Sequence, residues 1–419
     1  MQISALLAIP WKTLGGVLIA IVILLAMVTI HEFGHYVAGK ILGFRINEFA
    51  VGFGPAIFKK RSKKTGELFA LRIIPLGGYC AFEGEDEYDE PKKNEPQEQP
   101  FEELVSYTEN TENPENTQND GGMSLTKEEK EYPTPKGKRF NDQPPWKRII
   151  VLVAGATMNY LLALLLIVIM FSCYGCIHSF VHYVGEETPV VTETALAPRD
   201  VVLSVDGKTI YLATDYTTAL KDKKQGDVIP VEVLRKNADG VWEEKTLQIT
   251  LLADCEFKNM NDLASAYAAF GLDPTQYAFA SMANNDITGE GFFQTLGRSV
   301  VYSGKVGGMV LRTLGELLTG KISITAMGGP ITTIGATAQA ATSGGLLSTL
   351  NIAAFIGVNL AVFNLLPIPA LDGCKVIFCI IEWIRKKPVN RKVETIIHLV
   401  GILFLFGFAI LVDILQWIL

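Results

Sequence analysis

The chain has 419 residues, 49% of them hydrophobic, and a formal net charge of −7. That length allows more than one domain, and the apolar residues are clustered rather than spread. No basic patch interleaves with aromatics, which argues against a nucleic-acid partner; the six cysteines, four of them in or beside apolar segments, do not make a disulfide framework.

The first apolar segment, at about residues 14–38, is long enough to cross a bilayer, which takes about 20 residues. It lacks a charged leader beyond Lys12 and a small-residue cleavage site, so it reads as a span and not as a cleaved signal peptide. Residues 45–82 then alternate apolar and polar in part, on either side of a polar turn at 62–66, and predict a β-hairpin that Pro75-Leu-Gly-Gly78 ends. From Glu83 to Glu131 there are seventeen Asp/Glu against four Lys, a net of −13 that leaves the remainder at +6. Such a composition cannot bury enough apolar surface to offset the entropy of ordering, so a disordered linker is expected there.

A second span lies within residues 149–177, which hold no Asp, Glu, Lys or Arg. From His182 to Leu252 the pattern becomes that of a small β-rich domain. Asp206-Gly207 marks a tight turn, and the runs Val231–Arg235 and Leu247–Leu251 alternate. Residues 292–318 have helical apolar spacing, Gly328-Gly-Pro330 breaks the chain, and a third span is placed at 346–366. A fourth runs from Thr395 to the end, with Trp417 as an interface anchor. Lys and Arg crowd the loops after the first and third spans. Both loops are therefore expected on the cytoplasmic side, with the N-terminus, the β-rich domain and the C-terminus outside.

The chemistry sits at the end of the first span, in His31-Glu32-Phe33-Gly34-His35. Positions i and i+4 of a helix lie within about 40° of each other, so both imidazoles can reach one ion. In this pattern the two His bind Zn²⁺ and the Glu acts as general base. Ionisable groups at membrane depth are costly and point to function. A catalytic zinc takes three protein ligands and keeps one position open. Glu48 is one candidate for the third. Asp372, in Asn364-Leu-Leu-Pro-Ile-Pro-Ala-Leu-Asp-Gly373, is the better one, because the first and third spans run in the same direction and end at the same depth. Pro367 and Pro369 interrupt the helix there, and freed backbone at that depth is tolerated where it lines a wet cavity. Cys173, Cys176, His178 and His182 have ligand-type spacing. On one continuous helix they could not close a tetrahedron, and they read as interfacial side chains. His398 reads as a packed or interface histidine.

H-E-F-G-H in the first span and N-x-x-P-x-P-x-L-D-G after the third resemble the site-2 proteases, in particular their bacterial branch. The resemblance covers most of the chain apart from the acidic insert. It implies an intramembrane zinc endopeptidase with His31, His35 and Asp372 as ligands and Glu32 as base. It also implies substrate-binding roles for Asn359 and Asn364 with Pro367 and Pro369. Gly77 and Gly78 would belong to a membrane-associated hairpin that pairs with the substrate as an added strand. The β-rich domain resembles a permuted PDZ domain in a single copy. The implied substrates are single-span membrane proteins such as anti-sigma factors, and signal-peptide remnants. Cys374 and Lys375 stand where the family has Gly-His, Ala156 where it has Pro, and Arg199 where it has Gly before the Asp. A silent scaffold would not need Glu32, and a transporter would need polar residues at more than one depth.

The expected fold is thus a polytopic α-helical membrane protein with four transmembrane helices, a membrane-associated β-hairpin and one extracytoplasmic PDZ-like β-rich domain. The expected boundaries are a first span at 1–44, the hairpin at 45–82, the acidic insert at 83–145 and a second span at 146–178. The outer domain at 182–255 and an amphipathic linker at 256–344 follow. The third span at 345–373, a cytoplasmic loop at 374–394 and the fourth span at 395–419 complete the chain.

Overall fold

A computed structural model describes residues 11–85, 132–185, 194–283, 291–324 and 328–418. Among the described residues four helices are long and apolar enough to cross a membrane, within Leu14–Leu42, Pro145–Tyr174, Gly345–Asn364 and Arg391–Gln416. They belong to α1 (Trp11–Leu42), α2 (Pro145–Tyr174), α7 (Gly345–Asn364) and α9 (Arg391–Ile418). Gly43, at φ 77°, follows the end of α1, a left-handed position that glycine takes without strain. Pro145 opens α2, where its missing N–H costs nothing. The α1–α2 approach is close: a Cβ on Gly34 would lie 2.4 Å from the Ala154 carbonyl oxygen.

β1 (Ile46–Arg61) and β2 (Leu68–Phe82) pair antiparallel, but they are more than a simple hairpin. Val51 pairs with Gly78 on one side and Leu71 on the other, while Phe58–Arg61 return along Leu68–Leu71. Each long strand therefore folds on itself. Gly52 and Gly54, at φ 86° and 81°, make the break in β1, and a side chain at Gly52 would strike the Ile74 and Arg72 carbonyls. The sheet is tied to α1 by Glu67, which is 3% exposed and accepts hydrogen bonds from Tyr36 Oη, Lys40 Nζ and Thr65 Oγ1 at 3.1, 2.5 and 3.1 Å.

The acidic run expected to be disordered falls mostly on residues 86–131, outside the described residues; its two flanks are packed. Glu83 N–H donates to the Arg45 carbonyl, Phe140 N–H to Glu83, Arg45 N–H to Lys138, and Lys138 N–H to Gly43, at 2.8 to 3.0 Å. The rings of Phe44, Phe82 and Phe140 meet beneath this seam, 5.5 to 5.6 Å apart. Residues 132–144 are therefore part of the fold and not linker.

The β-rich unit is one antiparallel sheet in the order β7-β6-β4-β3-β8, with β5 paired to β4. The strands are β3 (Ile177–Tyr183), β4 (Val201–Val205), β5 (Lys208–Thr209), β6 (Val228–Lys236), β7 (Trp242–Thr250) and β8 (Tyr277–Ala283). Asp206 and Gly207, both at positive φ, make the tight β4–β5 turn. The unit thus reaches from Ile177 to Ala283 and is not confined to 182–255. Its extra pieces, α4 (Ala264–Phe270) and β8, are short apolar runs without alternation, and they enter the core through Ala266, Phe270 and Phe279. α3 (Ala213–Ala219) closes the same core with Tyr216. Cys173 to His182 is not one helix: α2 ends at Tyr174 and the chain turns into β3. Among the described residues these four side chains form no metal-ligating group.

α5 (Phe292–Leu318) buries Tyr302, Val306 and Val310 and packs against α2 and α7. Its other face holds the sheet domain: Lys305 pairs with Asp215 at 3.0 Å, and Glu316 accepts the Met260 N–H at 3.0 Å. α6 (Pro330–Ser343) packs on α1 and leads into α7. Residues 374–394 are not simply a loop, because α8 (Asp372–Arg385) occupies most of them. Gly373, Cys374 and Cys379 give it a buried side, and it carries charges in its first turn, at Asp372 and Lys375, and at its far end, at Glu382 and Arg385. α8 is locked to α2 by Arg148, 1% exposed, whose guanidinium meets Glu382 at 2.7 Å. Glu382 also faces Arg391 of α9 at 3.7 Å.

Candidate active site

The helical turn of α1 at 31–35 and the start of α8 converge. His31 Nε2 lies 3.0 Å from Asp372 Oδ2, His35 Nε2 lies 3.3 Å from the same oxygen, and the two Nε2 atoms are 3.2 Å apart. An ion held by three ligands at about 2.0–2.1 Å in a tetrahedron separates them by about 3.3–3.4 Å. The three atoms form such a triangle. Asp372 Oδ2 is buried and has no hydrogen-bond partner, which leaves its charge to be met by something else. The donor set and this orphaned oxygen fit Zn²⁺.

The surroundings orient the ligands. His35 Nδ1 is 2.8 Å from the Val151 carbonyl, so Nδ1–H donates and the lone pair stays on Nε2. His31 Nδ1 is flanked by the amides of Asn159 at 3.4 Å and Asn364 at 3.5 Å. Asn159 Oδ1 is buried without a partner. Amide O and N are exchanged by a 180° turn of the group. Turned so, the Asn159 carbonyl oxygen faces His31 Nδ1 and can accept from its N–H. Gly155 lets α2 come this near: a Cβ there would stand 2.4 Å from His35 Nε2 and 2.8 Å from His31 Cε1.

Glu32 is half-buried on the neighbouring face of α1, toward β2. A Cβ on Gly78 would lie 3.3 Å from Glu32 Cγ. The sheet thus runs past the carboxylate. Gly78 belongs at this edge because its side-chain position is already taken by Ala50 O at 2.8 Å. Gly77, at φ 114°, lies against the Phe53 ring and not against the ligands.

Asn364 reaches the His31 side of the cluster. Asn359, five residues earlier on α7 and so about 140° round the helix, makes no hydrogen bond to the three. Pro367 is exposed and Pro369 half-buried in the turn between α7 and α8. Glu48, the alternative third ligand, is committed to Arg72 at 2.7 Å in the β1–β2 sheet and is no part of the cluster. Sequence reasoning missed Val151, Gly155 and Asn159 as site residues. Asn159 did carry signals, as the retained Asn of the second-span motif Ala154-Gly-Ala-Thr-Met-Asn159 and as a polar residue inside a charge-free span.

The family model for peptidase family M50 matches residues 19–408. The regulator of sigma-W protease RasP of Bacillus subtilis is 27% identical over 92% of this chain and 94% of its own length. The zinc metalloprotease RasP of Bacillus licheniformis is 26% identical over 94% of this chain and 96% of its own.

Proposed function

The chain belongs to peptidase family M50, and from that premise we propose that it is an intramembrane zinc endopeptidase of the site-2 protease type. The observation that carries the proposal is the triangle of His31 Nε2, His35 Nε2 and Asp372 Oδ2 around a buried oxygen that nothing else partners. When bound there, zinc would supply a Lewis acid that acidifies water and polarises a peptide carbonyl. Glu32, beside the first ligand and against the sheet edge, takes the proton of the attacking water and returns it to the leaving amine. Asn364 and the Pro367–Pro369 turn, with Asn359 above them, hold substrate that has left its helix, and the Gly77-Gly78 edge of β2 offers it backbone hydrogen bonds.

The substrates of this reading are single-span membrane proteins of the anti-sigma-factor type, and signal-peptide remnants. The sigma-W name of the Bacillus subtilis relative supports the former. The protein sits as a multi-pass protein in a bacterial inner or plasma membrane. Lys and Arg after the first and third spans support an active site near the cytoplasmic face and a sheet domain outside. That domain is PDZ-like; Arg199 keeps φ 68°, the backbone conformation of the glycine it replaces, and Asp200 meets Arg235 at 2.7 Å.

The test is Glu32→Gln against His35→Ala/Asp372→Ala in purified protein with a tagged single-span substrate. Glu32→Gln keeps about one zinc per chain and loses at least a hundredfold in cleavage, the usual size of general-base catalysis. The double variant loses the metal. Cleavage near the wild-type rate by Glu32→Gln, or zinc retained in full by the double variant, overturns the assignment.

A further inference from the structure

Asp372 is aimed from a turn that the chain does not hold by itself. Between the end of α7 at Asn364 and the start of α8 at Asp372 the backbone runs Leu365-Leu-Pro-Ile-Pro-Ala-Leu371, and the prolines have no N–H to give. Ile368 N–H donates to Leu366 at 2.8 Å and Leu371 N–H to Ile368 at 3.1 Å. Ala370 lies between them at φ 79°. A side chain in the left-handed region is strained and persists only where the surroundings impose it.

The surroundings here are α9. Ala370 N–H donates to His398 Nδ1 at 3.0 Å. One helical turn further on, Gly401 is so close that a Cβ would lie 2.3 Å from Pro369 Cβ. Residues 398 and 401 share a face of α9. The glycine lets that face approach the turn, and the imidazole takes the N–H. Resting on the metallopeptidase reading above, we infer that His398 is a positioning residue: from a separate span it holds Ala370 in the left-handed conformation that directs Asp372 Oδ2 at His31 and His35. It touches neither substrate nor ligand atoms. It acts through two residues of backbone.

His398→Phe keeps a ring beside Phe378, whose centroid is 5.9 Å away, and removes the acceptor. His398→Asn restores one, since Asn Oδ1 stands where His Nδ1 does. Ala370→Gly removes the reason for needing an acceptor, because glycine takes positive φ without strain. Zinc affinity is measured by chelator competition on the full-length protein in detergent, alongside the unfolding temperature of the metal-free form. His398→Phe should bind zinc about 10- to 100-fold more weakly, the usual effect of losing a group that orients a metal ligand. His398→Asn should bind as the wild type does. Ala370→Gly in the His398→Phe background should recover most of the loss, and cleavage should follow zinc affinity across the set. A merely structural histidine would lower the metal-free unfolding temperature and gain nothing from a change at residue 370. Wild-type affinity in His398→Phe, or no recovery on adding Ala370→Gly, overturns the inference and leaves the metallopeptidase reading intact. A wild-type protein that binds no zinc overturns that reading itself.

Discussion

His178 shows how one side chain can carry a pH dependence. It lies on β3, 2% exposed, with Nε2 unpartnered and its ring stacked 6.2 Å from Tyr211. Burial, helped by the positive charge of Arg298, pushes its pKa down to about 4. The unfolded chain takes up this proton near 6.5 and the folded protein near 4. Stability from this residue is therefore complete above pH 6.5 and is lost as the pH falls toward 4, by up to about 3 kcal/mol. The unfolding temperature of wild type should drop between pH 7 and pH 4.5 by several degrees more than that of His178→Gln. Parallel curves would show that His178 is not the sensor. At the same scale, the His31-Glu32-x-x-His35 half of the candidate site was legible because an i, i+4 relation needs only a helix. Asp372 was legible because two prolines and the span directions marked its depth. Val151, Gly155 and Asn159 were not. Their roles come from where α2 crosses α1, and residue spacing carries no record of that.

Between elements, the tie with most at stake is Arg148 to Glu382. Both groups are largely withdrawn from water, and Arg148 Nε and Nη1 have no other partner. Removing one partner of such a pair leaves a buried charge uncompensated, at about 3–5 kcal/mol, whereas replacing both by apolar groups is often close to neutral. Glu382→Leu alone should lower the unfolding temperature markedly, and Arg148→Met/Glu382→Leu should recover most of the loss. A double variant no better than the single one would mean that the pair is net stabilising and not a latch. Long, strongly patterned elements were readable from sequence at this scale. The four spans and α5 fall within a few residues of their expected limits, since length and apolar spacing define them. Elements fixed by tertiary contact were not: α8 is short and ends in charges, β8 is an apolar run with no alternation, and the folding of β1 and β2 on themselves follows from glycines at positive φ.

At the scale of the whole molecule, α5 joins two bodies. One face lies along α2 and α7 and the other grips the sheet domain through Lys305, Arg312 and Glu316. A domain held this firmly by α5 contributes nothing to the ligand set. In the proposed orientation it can act by deciding which substrates come near. Substrates with a bulky outer portion should be cut only after that portion is trimmed, and deleting residues 177–283 should admit the untrimmed form without moving the cleavage position. The comparison is full-length against pre-trimmed substrate, with intact and domain-deleted enzyme. Equal cleavage of both substrates by the intact enzyme would rule out such a size filter.

The seam at Arg45, Glu83, Lys138 and Phe140 ties together the chain on either side of the 86–131 segment by backbone hydrogen bonds. The entropy of closing a loop across fixed ends changes by only about 0.6 kcal/mol for each doubling of its length. A flexible segment there would leave the fold nearly indifferent to its length. Cutting the segment to a short Gly-Ser bridge should leave the unfolding temperature within a few degrees and cleavage of a model substrate largely intact. Inserting a fluorescent protein at the same place should do no more harm. Loss of cleavage at normal expression in either case would mean that the segment itself takes part in the reaction. If both hold, this stretch of the chain is a splice point, where a regulatory module or a reporter can be added to the enzyme without disturbing the rest of the chain.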